Sequence, residues 1–109
     1  MTATERDIKG KPLAKDYDGF LTRSLKDPEE ARAYLDAALE DEDYRVFLLA
    51  LRDVAKAHGV SELSAKSGLN RESLYKMLSE NGNPQISSIT ALLRALGIRL
   101  SAELVSQDA

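Results

Sequence analysis

The sequence of 109 residues contains no cysteine, no tryptophan and a single histidine. Without cysteine the chain cannot form disulfides, thiolate metal sites or a thiol nucleophile, and one histidine cannot form a cluster of metal ligands. No phosphate-cradling glycine-rich loop occurs, no serine is accompanied by a paired base, and the acids show no metal-site spacing. Redox and zinc chemistry are therefore excluded, and we expect neither an enzyme nor a cofactor.

Long hydrophobic runs are also missing. No apolar stretch approaches the roughly 20 residues that a membrane helix needs, and the first 15 residues alternate charged with small side chains, unlike a secretory signal. With 43% apolar and 30% charged residues, the composition is that of one ordinary globular domain. We expect a soluble, cytoplasmic protein without a membrane partner.

The formal charge of −3 hides an uneven distribution along the chain. Residues 27–43 contain eight acidic side chains against one arginine, a net charge of −7. Residues 44–83 contain six basic and four acidic side chains, a net charge of +2. The acidic segment would repel phosphate, so a nucleic-acid contact is expected only in the mildly basic segment.

Hydrophobic periodicity predicts an all-α fold with five helices, an irregular N-terminal arm and a short C-terminal β-strand. The arm is predicted over residues 1–26, the domain over 27–104 and a short tail over 105–109. The helices are predicted over residues 28–40 with Asp27 as N-cap, 44–58 ending at Gly59, 61–67 with Ser61 as N-cap, 71–79 with Asn70 as N-cap, and from Ser87 or Ser88 to Leu96, ending at Gly97.

The third and fourth predicted helices form a helix-turn-helix, because Gly68 can supply the left-handed turn between them. Apolar residues of this pair would face inward: Leu63, Leu69, Leu74, Met77 and Leu78. The second helix is short, and its remaining surface is polar. In a helix-turn-helix protein this second helix lies in the major groove, where its first residues reach the base edges.

The polar surface of that helix has suitable chemistry for DNA. Arg71 can bind guanine O6 and N7, Glu72 can accept from cytosine N4, and Lys76 can reach a base or a phosphate. Asn70, Ser73 and Tyr75 can donate to phosphate oxygens. A packing helix whose polar residues merely face solvent remains the alternative, because tight helix pairs also occur in bundles that bind no DNA.

The end of the domain, "IRLSAEL", alternates apolar and polar residues with the period of a half-buried strand. A lone strand needs a partner in the same chain, in another copy or in another protein. The predicted dimerisation surface combines the last helix with the apolar positions of this strand, Ile98, Leu100, Ala102 and Leu104. A dimer is expected because one short helix contacts few base pairs.

Three segments in this order, "LKDPEEARAYLDAALEDEDY", "ALRDVAKAHGVSELSAKSGLNRESLYKMLSENGNP" and "ALLRALGIRLSAEL", carry a family resemblance. Over about residues 25–104 the sequence closely resembles the HigA-like addiction-module antidote (antitoxin) proteins, a branch of the Xre (Cro/C1-type) helix-turn-helix family. The resemblance is most specific in "NRESLYKMLS", in "GNP" and in "ALLRALGI".

This resemblance implies a small, mostly helical homodimer that binds double-stranded operator DNA ahead of its own operon and neutralises a RelE/HigB-like toxin encoded beside it. The recognition positions of the family fall on Asn70, Arg71, Glu72, Ser73, Tyr75 and Lys76. The first helix of the motif, "GVSELSA", is slightly shorter than in the common pattern, so Lys66, Arg52 or Lys56 would supply the phosphate contact usually made at its start. The acidic helix and the arm are expected to face a basic toxin.

Two other functions are compatible with these observations. A stand-alone phage-type repressor would carry the same motif without a toxin partner. A helical protein-interaction module would use the helix pair only as a scaffold, which the overall acidity favours.

Overall fold

The computed structural model describes residues 13–106, and all the regular structure in this part of the chain is helical. Six helices follow one another with short connections: α1 (Leu13–Ser24), α2 (Pro28–Ala38), α3 (Tyr44–His58), α4 (Val60–Ser67), α5 (Arg71–Met77) and α6 (Ile86–Ala95). The predicted all-α class is therefore confirmed for the described residues. Predicted features in residues 1–12 and 107–109 lie outside them.

Helix α3 is the centre of the domain. It packs against α1, α2 and α4, and α4 in turn packs against α5 and α6. Helix α2 contributes Ala31 and Leu35, which are buried. Side chains buried in the common core come from α2 to α6 and from the connections beside them, and the most deeply buried are Leu25, Leu51, Val54, Leu63, Leu74, Leu92 and Leu93.

Local capping explains where several helices begin. The carboxylate of Asp27 accepts a 2.9 Å hydrogen bond from the Glu29 backbone amide, and Pro28 occupies the first turn of α2, as predicted. Asp43 caps α3 in the same way, accepting from the Arg45 amide at 3.0 Å. These short-range bonds hold the helix starts in place because each satisfies an amide that has no partner within its helix.

The predicted irregular arm is wrong over residues 13–24, which form α1. This helix contacts α3, with half-buried Leu21 packing on the core and buried Leu25 following one turn later. Four-residue spacing places both leucines on one side of α1. The apolar periodicity of this segment is weak because the segment contains few apolar residues. Its packing against α3 therefore stabilises the helix more than its own sequence does.

Two predicted caps are also wrong. Helix α4 begins directly after Gly59, one residue before Ser61, and no side chain caps it. Helix α6 begins after Gln85, before Ser87 and Ser88, and it too lacks a side-chain cap. Helices α2 and α5 end slightly earlier than predicted, at Ala38 and Met77.

The predicted C-terminal β-strand is wrong, because residues 98–106 have no regular structure. Gly97, with φ of 80°, ends α6 as predicted, and the amide of Ile98 then donates back to the Leu93 carbonyl at 2.8 Å. The Gly97 amide donates to the Arg94 carbonyl at 2.9 Å, which completes a Schellman motif. The first amide of the predicted strand is thus already used, and no strand of the described chain lies beside residues 98–106 to pair with them.

Candidate nucleic-acid interface

A tight turn joins α4 to α5. Gly68 adopts the left-handed conformation with φ of 80°, and its amide donates to the Ser64 carbonyl at 3.2 Å. The Ser64 hydroxyl donates to the Leu69 carbonyl at 2.7 Å, and the Leu69 amide donates to the Ser67 hydroxyl at 3.1 Å. Hydrogen bonds therefore hold the turn on both sides, and they fix the direction in which α5 leaves it.

Helix α5 is anchored by its inner side. Leu74 is buried, and Met77 and Leu78 are buried behind it. Half-buried Leu69, in the turn, packs against the same core. A helix of seven residues would not persist in water by itself, so this apolar side and its contact with α4 hold it in place.

The side chains on the opposite side of α5 are exposed, and we call them the outer face of α5: Arg71, Glu72, Ser73, Tyr75 and Lys76. At about 100° per residue, Arg71 and Tyr75 form one row and Glu72 and Lys76 the next. Neither the Arg71 side chain nor the Lys76 side chain makes a hydrogen bond or ion pair with the described residues, and the Tyr75 side chain is 56% exposed. The face offers free cationic, acceptor and aromatic groups side by side.

Asn70 has a different position from the other predicted contact residues. Its side-chain oxygen accepts a 2.7 Å hydrogen bond from the Ser73 amide, so it caps α5 as predicted. The Asn70 side chain is exposed but its acceptor is engaged, which leaves its amide nitrogen for an outside partner.

Lys66 lies apart from the outer face, near the end of α4. Its ammonium group forms a 3.0 Å ion pair with Glu62 one turn earlier, and this pair lowers the pKa of the Glu62 carboxyl through hydrogen bonding and charge. Both side chains are more than half exposed, so the pair is open to competition by another anion. Lys66 and Ser67 border a shallow depression with Ala91, Arg94 and Ala95 of α6, and sequence reasoning missed this proximity to Arg94.

A groove of about 460 Å³ runs beside Lys76 along the connection from α5 to α6. Its lining adds residues that the sequence prediction left out of the DNA contacts: Ser79, predicted as the last residue of the helix, and Asn81, Gly82, Asn83 and Pro84 beyond it. Their signal was the Asn-Gly-Asn-Pro cluster itself, which marks a fixed loop. Two exposed asparagines thus stand next to the outer face of α5.

Gly82 holds this connection against the end of α5. A Cβ atom at Gly82 would overlap the Met77 carbonyl group and would lie 2.9 Å from the Lys76 carbonyl oxygen. The Gly82 amide donates to the Ser79 carbonyl at 2.9 Å, and the Ser79 hydroxyl donates to the Lys76 carbonyl at 2.8 Å. The connection is therefore closely packed onto the last turn of the helix.

The acidic segment lies on a different part of the domain, on α2 and the residues that follow it. Several of its carboxylates have local partners: Asp27 and Asp43 cap helices, and Glu29 pairs with Arg32 at 2.7 Å. Others are exposed and make no hydrogen bond with a described residue, among them Asp36, Glu40 and Glu42. This acidic surface carries a negative charge, whereas the outer face of α5 carries a net positive charge.

The predicted dimerisation residues divide into two groups. Ile98 and Leu100 are half-buried and pack on the core of their own chain, beside Leu35 of α2 and Phe47 of α3. Ala102 and Leu104 are exposed. Only the second pair is fully available to another molecule in this arrangement.

A protein-family comparison decides the class. A family model described as "Probable addiction module antidote protein" matches residues 15–104, which include all of these surfaces. The chain belongs to this family. Membership in an antidote family implies a toxin as the partner in general.

A curated relative of this antidote protein matches most of the chain. The uncharacterized protein of Haemophilus influenzae (strain Rd) is 33% identical over 89 residues, which cover 82% of this chain and 90% of the relative. No solved structure matches the chain significantly.

None of the helices in residues 13–106 is both long enough and apolar enough to span a membrane. No three acidic or histidine side chains in that range are grouped so that they could hold a metal ion.

Proposed function

We propose that this antidote protein is a HigA-like antitoxin of the Xre (Cro/C1-type) helix-turn-helix family, which represses its own operon by binding operator DNA. The observation that carries this proposal is the outer face of α5. This short helix is held by a hydrogen-bonded turn and a buried apolar side. It presents five polar side chains to solvent, and these side chains are not needed to hold the helix in the fold.

The outer face of α5 matches the chemistry of the major groove. Arg71, in the first turn, binds guanine through its forked guanidinium, and Glu72 accepts from cytosine N4. Ser73, Tyr75 and Lys76 contact phosphates or bases farther along the groove. Asn70 positions the helix through its cap and directs its free amide nitrogen to the DNA backbone.

A phosphate contact outside α5 comes from α4. Lys66 is exposed and forms a weak ion pair with Glu62, and on DNA binding a phosphate replaces Glu62 as the partner of Lys66. Each released counterion adds affinity that depends on salt. With a net charge of only +2 over residues 44–83, one copy has a small phosphate term, so two copies on a palindromic operator are needed.

The toxin binds elsewhere, on the acidic surface. We place a basic, RelE/HigB-like toxin against α2 and residues 39–43, because the exposed carboxylates of Asp36, Glu40 and Glu42 make no hydrogen bond with a described residue. Opposite charges on separate surfaces allow one protein to hold DNA and toxin at once. This function requires binding alone, without catalysis or a cofactor, in the cytoplasm where both partners reside.

DNA binding is tested by a mobility shift on the DNA immediately upstream of the coding region of this protein, at two salt concentrations. We expect a shift that weakens steeply at the higher concentration, because phosphate contacts release counterions. A well-folded protein that gives no shift, alone or with its toxin, would contradict operator binding and favour the interaction module. A shift without a toxin gene beside the operon would favour the stand-alone repressor.

Toxin binding is tested by co-expression with the neighbouring gene product. We expect growth to be rescued by the wild-type protein and poorly rescued by the Glu40→Lys, Glu42→Lys double variant. Glu80→Lys, which reverses an exposed charge after α5, is the control and should rescue normally. Normal rescue by the double variant would contradict the acidic surface as the toxin site.

A further inference from the structure

A second groove, of about 580 Å³, lies between α3 and the residues that follow α5. We call it the two-arginine groove. One wall consists of residues from α3 and the other of residues after α5: Arg45, Leu48, Leu49 and Arg52, facing Leu78, Ser79, Glu80 and Asn81. Its volume is in the range of roughly 300–1,000 Å³ that binding pockets occupy.

The two arginines of this groove differ in their partners. The Arg45 guanidinium is held by Asp43 through hydrogen bonds of 3.0 and 2.9 Å. The Nε atom of Arg52 is buried and has no hydrogen-bond acceptor among the described residues. A buried donor without an acceptor is costly, so the groove favours an occupant that brings an oxygen to Arg52. Glu80 belongs to the opposite wall but makes no ion pair with Arg52.

The same groove has an apolar part. The Leu49 side chain is 50% exposed although it lies in the middle of α3, and it lies beside buried Leu48 and Leu78. Val46, one turn before Leu49, is also exposed. An occupant that satisfies both parts combines a carboxylate with adjacent aliphatic side chains.

A carboxylate next to aliphatic side chains also occurs at the end of the described chain, in residues 102–106, which are called the tail from here on. Leu104 is 100% exposed and Val105 is 72% exposed, and Glu103 immediately precedes them. Two adjacent aliphatic side chains on an irregular segment gain nothing from their own chain in this arrangement. They would be stabilised by burial in an apolar groove.

The tail of the same chain is poorly placed to reach the groove. Residues 98–101 lie beside Phe47, and Phe47 and Leu49 leave α3 in directions about 160° apart. From Ser101 to Leu104 the chain spans at most about 10 Å, roughly the diameter of the helix that it would have to pass around. A contact between the groove and the tail is therefore easier to form between two copies than within one chain.

We propose that residues 103–105 of a second copy occupy the two-arginine groove, with Glu103 accepting from Arg52 and Leu104 packing against Leu48 and Leu49. In a two-fold dimer each copy gives one tail and receives one, so the contact is made twice. This association does not depend on the proposed DNA binding, and it is measured without DNA.

Sedimentation equilibrium of the full chain tests the contact. We expect a dimer whose dissociation constant rises by about tenfold or more in Leu104→Ser and in Leu49→Ser, because each removes apolar surface that only the dimer buries. Phe20→Ser is the matched control: it changes a side chain that is also mostly exposed, lies on α1, and should leave the dimer intact. A monomeric wild-type protein, or an unchanged dimer in both variants, would overturn the tail docking.

Mixing the two variants distinguishes this contact from any other dimer surface. A Leu104→Ser copy keeps an intact groove, and a Leu49→Ser copy keeps an intact tail, so a mixed dimer retains one complete contact. We expect the mixture to associate more tightly than either variant alone. A mixture no tighter than the separate variants would overturn the exchange of tails even if both variants are weakened.

Discussion

The side-chain oxygen of Asn70 accepts a 2.7 Å hydrogen bond from the backbone amide of Ser73, and this bond begins the helix that carries the proposed DNA contacts. One residue thus belongs both to the fold and to the edge of the proposed interface. Its two roles can be separated, because the cap needs only an acceptor oxygen whereas contact with phosphate needs a donor.

Asn70→Ala should lower the free energy of unfolding by about 0.5–2 kcal/mol and weaken operator binding, because the cap of α5 is lost. Asn70→Asp should keep the stability but still bind DNA more weakly, since the acceptor remains while a negative charge replaces the amide donor. Urea unfolding and a mobility shift measure the two effects. Full DNA affinity in Asn70→Asp would show that Asn70 acts only as a cap.

Gly82→Ala should destabilise the protein by about 1–3 kcal/mol, because the added Cβ would meet backbone atoms at the end of α5 that cannot move aside independently. Gly19→Ala is the matched control. Its Cβ would meet only Arg23 Nη1 at 3.6 Å, so thermal unfolding should be unchanged or slightly raised. Equal melting temperatures for the two variants would contradict the close packing at Gly82.

Asp43 should give a pH-dependent contribution to stability. Hydrogen bonds from the side chain and backbone of Arg45 lower the pKa of this carboxyl. Its contribution is therefore present above the ordinary aspartate pKa of about 3.9 and is lost as the pH falls through the lower folded-state pKa. Asp43→Ala should have a lower melting temperature than the wild-type protein at pH 7, and this difference in melting temperature should shrink below about pH 4. Asp36→Ala, whose carboxylate makes no hydrogen bond with a described residue, is the control in the same pH series.

Lys76→Ala should reduce the salt dependence of operator binding. If Lys76 contacts a phosphate, its loss should lower the slope of log Kd against log salt concentration by about one per copy. Lys26→Ala removes the same charge from the exposed connection between α1 and α2 and should leave the slope unchanged. An unaltered slope with weakened affinity would instead assign Lys76 to a base.

The parts of the fold that sequence predicted correctly depend on near neighbours. Asp27, Asn70 and Gly68 act through hydrogen bonds or backbone angles that involve residues at most a few positions away, so their roles can be inferred from the local pattern. The apolar spacing within α5 likewise identified the side of this helix that is buried.

Some of the features that sequence missed depend on distant residues, whereas the bond that ends α6 and the two wrong helix caps are local. Helix α1 is held by α3, which no local pattern of residues 13–24 reveals. The strand prediction followed the alternation after Gly97 but not the Schellman bond of Ile98, which directs that residue back onto the core. The two-arginine groove joins residues of α3 to residues after α5, so Arg52 and Asn81 become neighbours only in the folded chain.

The central claim is that the outer face of α5 binds DNA, and the most direct test compares two single-arginine variants. Arg71→Ala removes a free guanidinium from that face, whereas Arg99→Ala removes an exposed one from the tail side of the domain. Operator titrations at fixed salt should show a Kd at least about tenfold higher for Arg71→Ala and little change for Arg99→Ala, with equal melting temperatures. Wild-type affinity in Arg71→Ala, or the same loss in both variants, would contradict base recognition by this helix.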